Sequence, residues 1–252
     1  MQTNRKRNLS LVSLFILCTF VFDCGISVTE RARLKIPPKT ETEVFRVNLF
    51  DGEVKNLYGV NIGLLNRVLE NLVGLQVGGA NVADGKTSAQ VGGRTVRENK
   101  EVYVAQIGGV NIADGNVYAA QVGFLNRSAG GFTIQTGAAN MVESENNNTN
   151  GGLQLGIYNE VTEGNRISDE GYYVTAGVYN NGGGGVKIGV LNNGGKGGVK
   201  IGVLNISPSG LSIGAINVGE SDNFLIGILN FCEFGFPTVM IGFNYCWRLG
   251  GW

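Results

Sequence analysis

Gly185-Val186-Lys187-Ile188-Gly189-Val190-Leu191-Asn192 returns unchanged as Gly198-Val199-Lys200-Ile201-Gly202-Val203-Leu204-Asn205. Outward from this pair, the same phrase, apolar-polar-apolar-Gly-x-x-Asn, is legible around Gly63, Gly78, Gly92, Gly108, Gly123, Gly137, Gly156, Gly177, Gly214, Gly227 and Gly242. The residue three before the glycine is apolar in every copy. The closing residue is Asn in all but two, which have Thr95 and Tyr245 instead. A phrase recurring at this density is the signature of a repeat architecture. The 41 glycines among 252 residues recur with the phrase rather than clustering in linkers, and the scarcity of Pro beside many β-branched residues points to an all-β chain.

Two all-β architectures fit. In a β-solenoid of about 13 short coils, one per copy, every copy has the same neighbours. The closing Asn then stacks into a ladder, and the glycine permits a corner or a close backbone approach. In an antiparallel meander β-barrel of outer-membrane type, odd and even copies should differ and turns should alternate in length. Recurrence of the same residue types regardless of parity favours the solenoid. Ala83-Asp84-Gly85 and Ala113-Asp114-Gly115, which resemble hairpin turns, and the terminal Trp252 favour the barrel. If the strand alternates without interruption, Val199, Ile201, Val203 and Asn205 share one face. Because a lysine is hard to bury, the slot holding Gln76, Gln106, Lys187 and Lys200 is expected outward and the Val/Ile/Leu face inward. The apolar residue two after the glycine, as in Leu191 and Leu204, fits that alternation poorly. It is read as lying past a corner or as forming an exposed stripe.

Residues 1–23 have a basic start followed by an apolar run too short for a comfortable span, as in a secretory signal. Cys24, after Val21-Phe22-Asp23, loosely resembles a lipoprotein acylation site and is the lipidation candidate. Residues 24–43 read as a tether, with Pro37-Pro38 disfavouring helix. Residues 44–252 read as the repeat domain, with acidic, Asn-rich insertions at 141–171 and an aromatic C-terminal cap at 231–252. Membrane anchoring by lipid and a host or extracellular ligand are the expected partners, and the expected location is the cell surface or outer membrane.

The formal net charge is +0, which gives no electrostatic case for nucleic acid. With no histidine, Ser-His-Asp and Cys-His chemistry is excluded, and no cofactor, metal or catalytic motif is indicated. The chain reads as non-enzymatic. Glu143, Glu145, Asp169 and Glu170 in the insertions are the candidate partner or cation loop. Cys232 and Cys246, about one repeat apart, are a candidate disulfide, although their offsets from Gly227 and Gly242 differ by one residue.

At the level of the phrase Gly-Val-Lys-Ile-Gly-Val-Leu-Asn, at 185–192 and 198–205, the chain resembles the surface repeat-containing proteins of leptospiral spirochaetes. The resemblance covers about residues 45–245. It implies export, a cell-surface or outer-membrane location and lipid anchoring, and it carries over no catalytic residue.

Overall fold

The computed structural model describes residues 24–29, 33–36, 41–91, 94–99, 101–114, 116–129, 131–143, 151–162, 172–233 and 237–247. The leader at 1–23 and Glu145, Asp169 and Glu170 lie outside them. The chain divides into two compact units, Met1–Asn116 and Val117–Trp252. Strands of the first are β1 (Cys24–Ser27), β2 (Arg33–Ile36), β3 (Thr42–Val54), β4 (Asn56–Val68), β5 (Leu72–Ala83), β6 (Lys86–Val91), β7 (Arg94–Asn99) and β8 (Glu101–Ala113). The second holds β9 (Asn116–Ser128, entering at Val117), β10 (Phe132–Glu143), β11 (Gly151–Thr162), β12 (Tyr172–Gly182), β13 (Gly184–Asn193), β14 (Val199–Ser207), β15 (Gly210–Gly219), β16 (Asn223–Cys232) and β17 (Val239–Cys246).

The architecture is a β-solenoid of stacked parallel coils. In the first unit β3, β4, β5 and β8 pair in parallel; in the second, β9 through β16 do so consecutively. Equivalent residues stack, Gly189 on Gly202 and Asn192 on Asn205. An antiparallel meander, the alternative expectation, is not formed. Asp84-Gly85 accordingly does not return β5 on itself, since β5 pairs in parallel with β4 and β8.

The expected thirteen coils are too many, and the physical reason is the Asn. The copy around Gly92 contributes no coil to the stack: β6 and β7 pair only with each other, antiparallel, while Gly78 stacks directly on Gly108. The copy around Gly242 forms β17, which runs antiparallel to β16. These two copies are the ones that lack the closing Asn, carrying Thr95 and Tyr245 in its place. A coil that cannot extend the amide ladder does not join the parallel stack.

The inside and outside of the coil are the reverse of the expected assignment. Lys187, Lys200 and the Gln slot are buried, whereas Ile201 is 41% and Val203 54% exposed. The error lies in assuming unbroken alternation. In β13 the residues one and two after Gly189, Val190 and Leu191, both face outward, and Asn192 faces inward. The chain therefore turns a corner within Gly-x-x-Asn, so Val203 and Asn205 end on opposite sides. Each coil is a flattened loop. Gln135, two before its glycine, reaches across to donate to the Met141 carbonyl beyond the corner at 3.1 Å. The interior holds these amides beside buried apolar side chains such as Leu57, Leu72 and Val142.

Part of the stretch expected to be a tether is strand. β1 pairs in parallel with β3, Cys24 opposite Phe45, and antiparallel with β2. β1 lies over the end of the first coil, where Arg46 Nη1 donates to Glu43 Oε1 at 2.8 Å in a fully buried ion pair. Gly25 leaves room for this pair, because a β-carbon there would lie 2.0 Å from Glu43 Oε2 and displace the carboxylate.

Candidate functional surfaces

The interior holds two amide ladders. In the second unit each closing Asn donates to the next coil's Asn Oδ1 at 2.8 Å, from Asn126 through Asn140, Asn159, Asn180, Asn192, Asn205 and Asn217 to Asn230. Each Nδ2 makes a second bond to a backbone carbonyl of the following coil, as Asn192 does to Ile201 O at 3.0 Å. The first unit repeats this from Asn66 to Asn81 to Asn111. The glycine exists to make room for the ladder. A β-carbon at Gly202 would lie 2.4 Å from the Gly189 carbonyl oxygen and 2.6 Å from Asn192 Nδ2. The first coil exchanges the two roles: Asn48 stacks on Gly63 and Gly52 on Asn66, and Asn48 Nδ2 reaches Asn66 Oδ1 at 2.9 Å. One amide per corner fits, from either position.

The Gln ladder points the other way. Gln135 donates back to Gln121 Oε1 at 2.8 Å and Gln154 back to Gln135 at 2.9 Å. The ladder stops at Thr175, whose side chain is too short to donate to Gln154, so Gln154 Oε1 and Thr175 Oγ1 are both buried without a partner. In the next two coils the slot holds lysine. Lys187 Nζ donates to the Gly183 carbonyl, and Lys200 Nζ donates to Gly195 O, Gly197 O and Ser207 Oγ, the last at 2.7 Å. A lysine is buried here because its long stem carries the ammonium to the glycine-rich turn, where backbone carbonyls replace water. That compensation was invisible in the residue type alone.

Outside, the coil has two unlike edges. The turn edge joins one coil to the next and carries the charges, with ion pairs between successive coils. Arg67 Nη2 lies 2.9 Å from Asp84 Oδ2, and Arg127 Nη2 lies 2.6 Å from Glu143 Oε2. Glu143, expected in a partner or cation loop, is thus engaged by Arg127, whose hydrogen bond holds its carboxyl below the usual glutamate range against a smaller opposing effect of burial. Among the described residues no group of three or more His, Cys, Asp or Glu side chains is placed to hold a metal ion. The opposite edge, at Gly-x-x-Asn, is apolar, with Val190 50% and Ile228 68% exposed. Here Tyr158 and Tyr179 stack with ring centroids 5.4 Å apart. Partial burial, and then the hydrogen bond to Glu160 at 2.9 Å, push the Tyr158 hydroxyl up to about 12.

Cys232 and Cys246 are joined by a disulfide. The one-residue difference in offset is no obstacle, because β17 is reversed and repeat offsets do not govern its facing. Both cysteines point inward with Leu225. Among the described aromatic residues of the cap, Phe243, Tyr245 and Trp247 face outward instead of plugging the open end, while Phe234, Phe236 and Trp252 lie outside the described residues. Cys24 is half-buried and takes no part in that disulfide. Comparison with family models, characterised proteins and solved structures finds no match to this chain.

Proposed function

We propose that the chain is a non-enzymatic, exported surface scaffold that holds variable segments out for contact with extracellular or host ligands. The observation carrying this reading is where the repeat is interrupted. In the chain the extra hairpin β6–β7 falls between β5 and β8, the segment 144–150 between β10 and β11, and the segment 163–171 between β11 and β12, each between the end of one coil and the start of the next. The phrase itself is consumed by the interior ladders and leaves no converging acid, base and nucleophile. Recognition thus falls to the interruptions, which supply none of the Asn and Gln residues of the ladders.

The test replaces 144–150 and 163–171 with Gly-Ser pairs, and separately deletes 86–99. Binding to immobilised extracellular-matrix glycoproteins is compared with the intact chain. Loss of binding at unchanged circular dichroism and unfolding midpoint is expected. Binding that survives all three changes, or turnover of a substrate by the intact chain, refutes the proposal.

A further inference from the structure

The outer face of the second unit is chemically inverted relative to a surface that meets water. Each coil from Gly123 to Gly227 sends four side chains outward around its corner: those three and one before the glycine, and those one and two after it. Across these eight coils none of those positions is charged, and apart from Tyr158 and Tyr179 the one hydroxyl is Thr136. With coils about 4.8 Å apart and about 3.3 Å per residue, the face measures roughly 34 by 18 Å, on the order of 600 Å² before side-chain relief. The largest apolar patch on an ordinary monomer reaches about 300–600 Å².

Two features identify what covers it. The apolar surface wraps a convex corner, because consecutive residues such as Val190 and Leu191 both point outward. A rigid second copy laid on one side leaves the other bare, whereas acyl chains follow both. The face is also bordered by aromatics on the side towards the turn edge. Tyr118, Phe132 and Tyr172 lie five before their glycines, and Trp247 lies one residue past the Cys246–Asn223 pair, all exposed. Beyond that row come Lys196, Glu220 and Asp222 at the turns. Tyr118, Tyr172 and Trp247 have amphipathic rings, and such rings between an apolar band and a charged zone mark the boundary between hydrocarbon and headgroups.

We propose that the Gly-x-x-Asn corner of the second unit beds into the acyl layer of a membrane, with the coil axis in the membrane plane and the turn edge directed away. The burial depth is that of an interfacial element, roughly 5–10 Å. It goes beyond the display scaffold, needs no acyl group on Cys24, and survives failure of the ligand-binding test. The face is uncharged, so the association does not depend on anionic lipid or low salt.

The test uses the full chain carrying Cys18→Ser and Cys24→Ser and a nitroxide label at either Val203→Cys or Lys196→Cys, mixed with phosphatidylcholine vesicles. The protein is expected to float with the vesicles at low and high salt. The label at 203 is expected to gain oxygen collisions and lose contact with a water-soluble nickel chelate severalfold, while the label at 196 remains aqueous. Vesicle binding with 203 still open to the chelate, as tethering through residues 1–23 alone gives, overturns the proposal. So does absence of flotation, and so does spin–spin broadening at 203 without oxygen gain, which identifies a second copy as the cover. A Val190→Glu/Val203→Glu chain alters only exposed positions, and its fold is checked by circular dichroism. Its partitioning is expected to fall about tenfold or more; unchanged partitioning overturns the proposal.

Discussion

Replacing Asn192 with alanine removes one rung from the middle of the longer ladder. Three hydrogen bonds go: the one accepted from Asn180 at 2.8 Å, and those donated to Asn205 Oδ1 at 2.8 Å and Ile201 O at 3.0 Å. At about 0.5–1.5 kcal/mol net each, the loss is about 2–4 kcal/mol. Asn205 Oδ1 is left buried without its donor, which places the value in the upper half of that range. Asn180 retains its bond to Ile188 O, so damage runs mainly in the C-terminal direction. The comparison is Asn230→Ala. There the outgoing bonds are weaker, to Gly227 O at 3.1 Å and Met240 O at 3.4 Å, and about half the cost is expected. Because a repeat stack loses stability interface by interface, amide hydrogen exchange is a better assay than one unfolding midpoint. Protection should fall across residues 184–207 and remain in β4 and β5. A cost under about 0.5 kcal/mol, with exchange at 184–207 unchanged, would refute the claim that the Asn ladder holds the coils together.

Gly202→Ala should cost at least about 2 kcal/mol in urea titrations, since its β-carbon meets a backbone carbonyl at 2.4 Å and cannot be relieved by a flexible neighbour. Thr175→Gln should instead stabilise the second unit by about 1 kcal/mol, because the longer amide reaches the unpartnered Gln154 Oε1; a rise in thermal midpoint checks it. Glu143 has a folded-state pKa held below its unfolded value by Arg127, so its contribution is complete above about pH 4.3 and fades as pH falls through the lowered value. With both partners partly exposed, the acid-sensitive part is a few tenths to about 1 kcal/mol. It should be absent from the pH dependence of unfolding in Glu143→Gln.

The period, the parallel stacking and the Asn ladder were legible because each depends only on which residue types recur. The inversion of inside and outside was not, because it depends on where alternation breaks. The signal was present in the paired apolar residues after each glycine, Val190-Leu191 and Val203-Leu204: two adjacent side chains of one kind cannot share an alternating strand unless the chain turns between them. Lysine misled for a separate reason. Its burial is decided by carbonyls at Gly183, Gly195 and Gly197, which sequence spacing places near the coil but not against the ammonium. The looped-out hairpin was marked by Thr95, a single substitution whose meaning required knowing that the amide is the coupling between coils.

The direct stacking of Gly78 on Gly108, past a full copy of the phrase, bears on how such a chain changes over generations. The register on either side is undisturbed, so the stack closes over an entire copy of the phrase. Unequal recombination between near-identical stretches such as 185–192 and 198–205 would add or delete whole coils, and the products would still close their ladders. Offspring of any copy number should fold provided each retained coil keeps its asparagine. Selection on such a lineage would act on length as a quantitative trait, tuned coil by coil, while the glycine and asparagine of each coil stay in place.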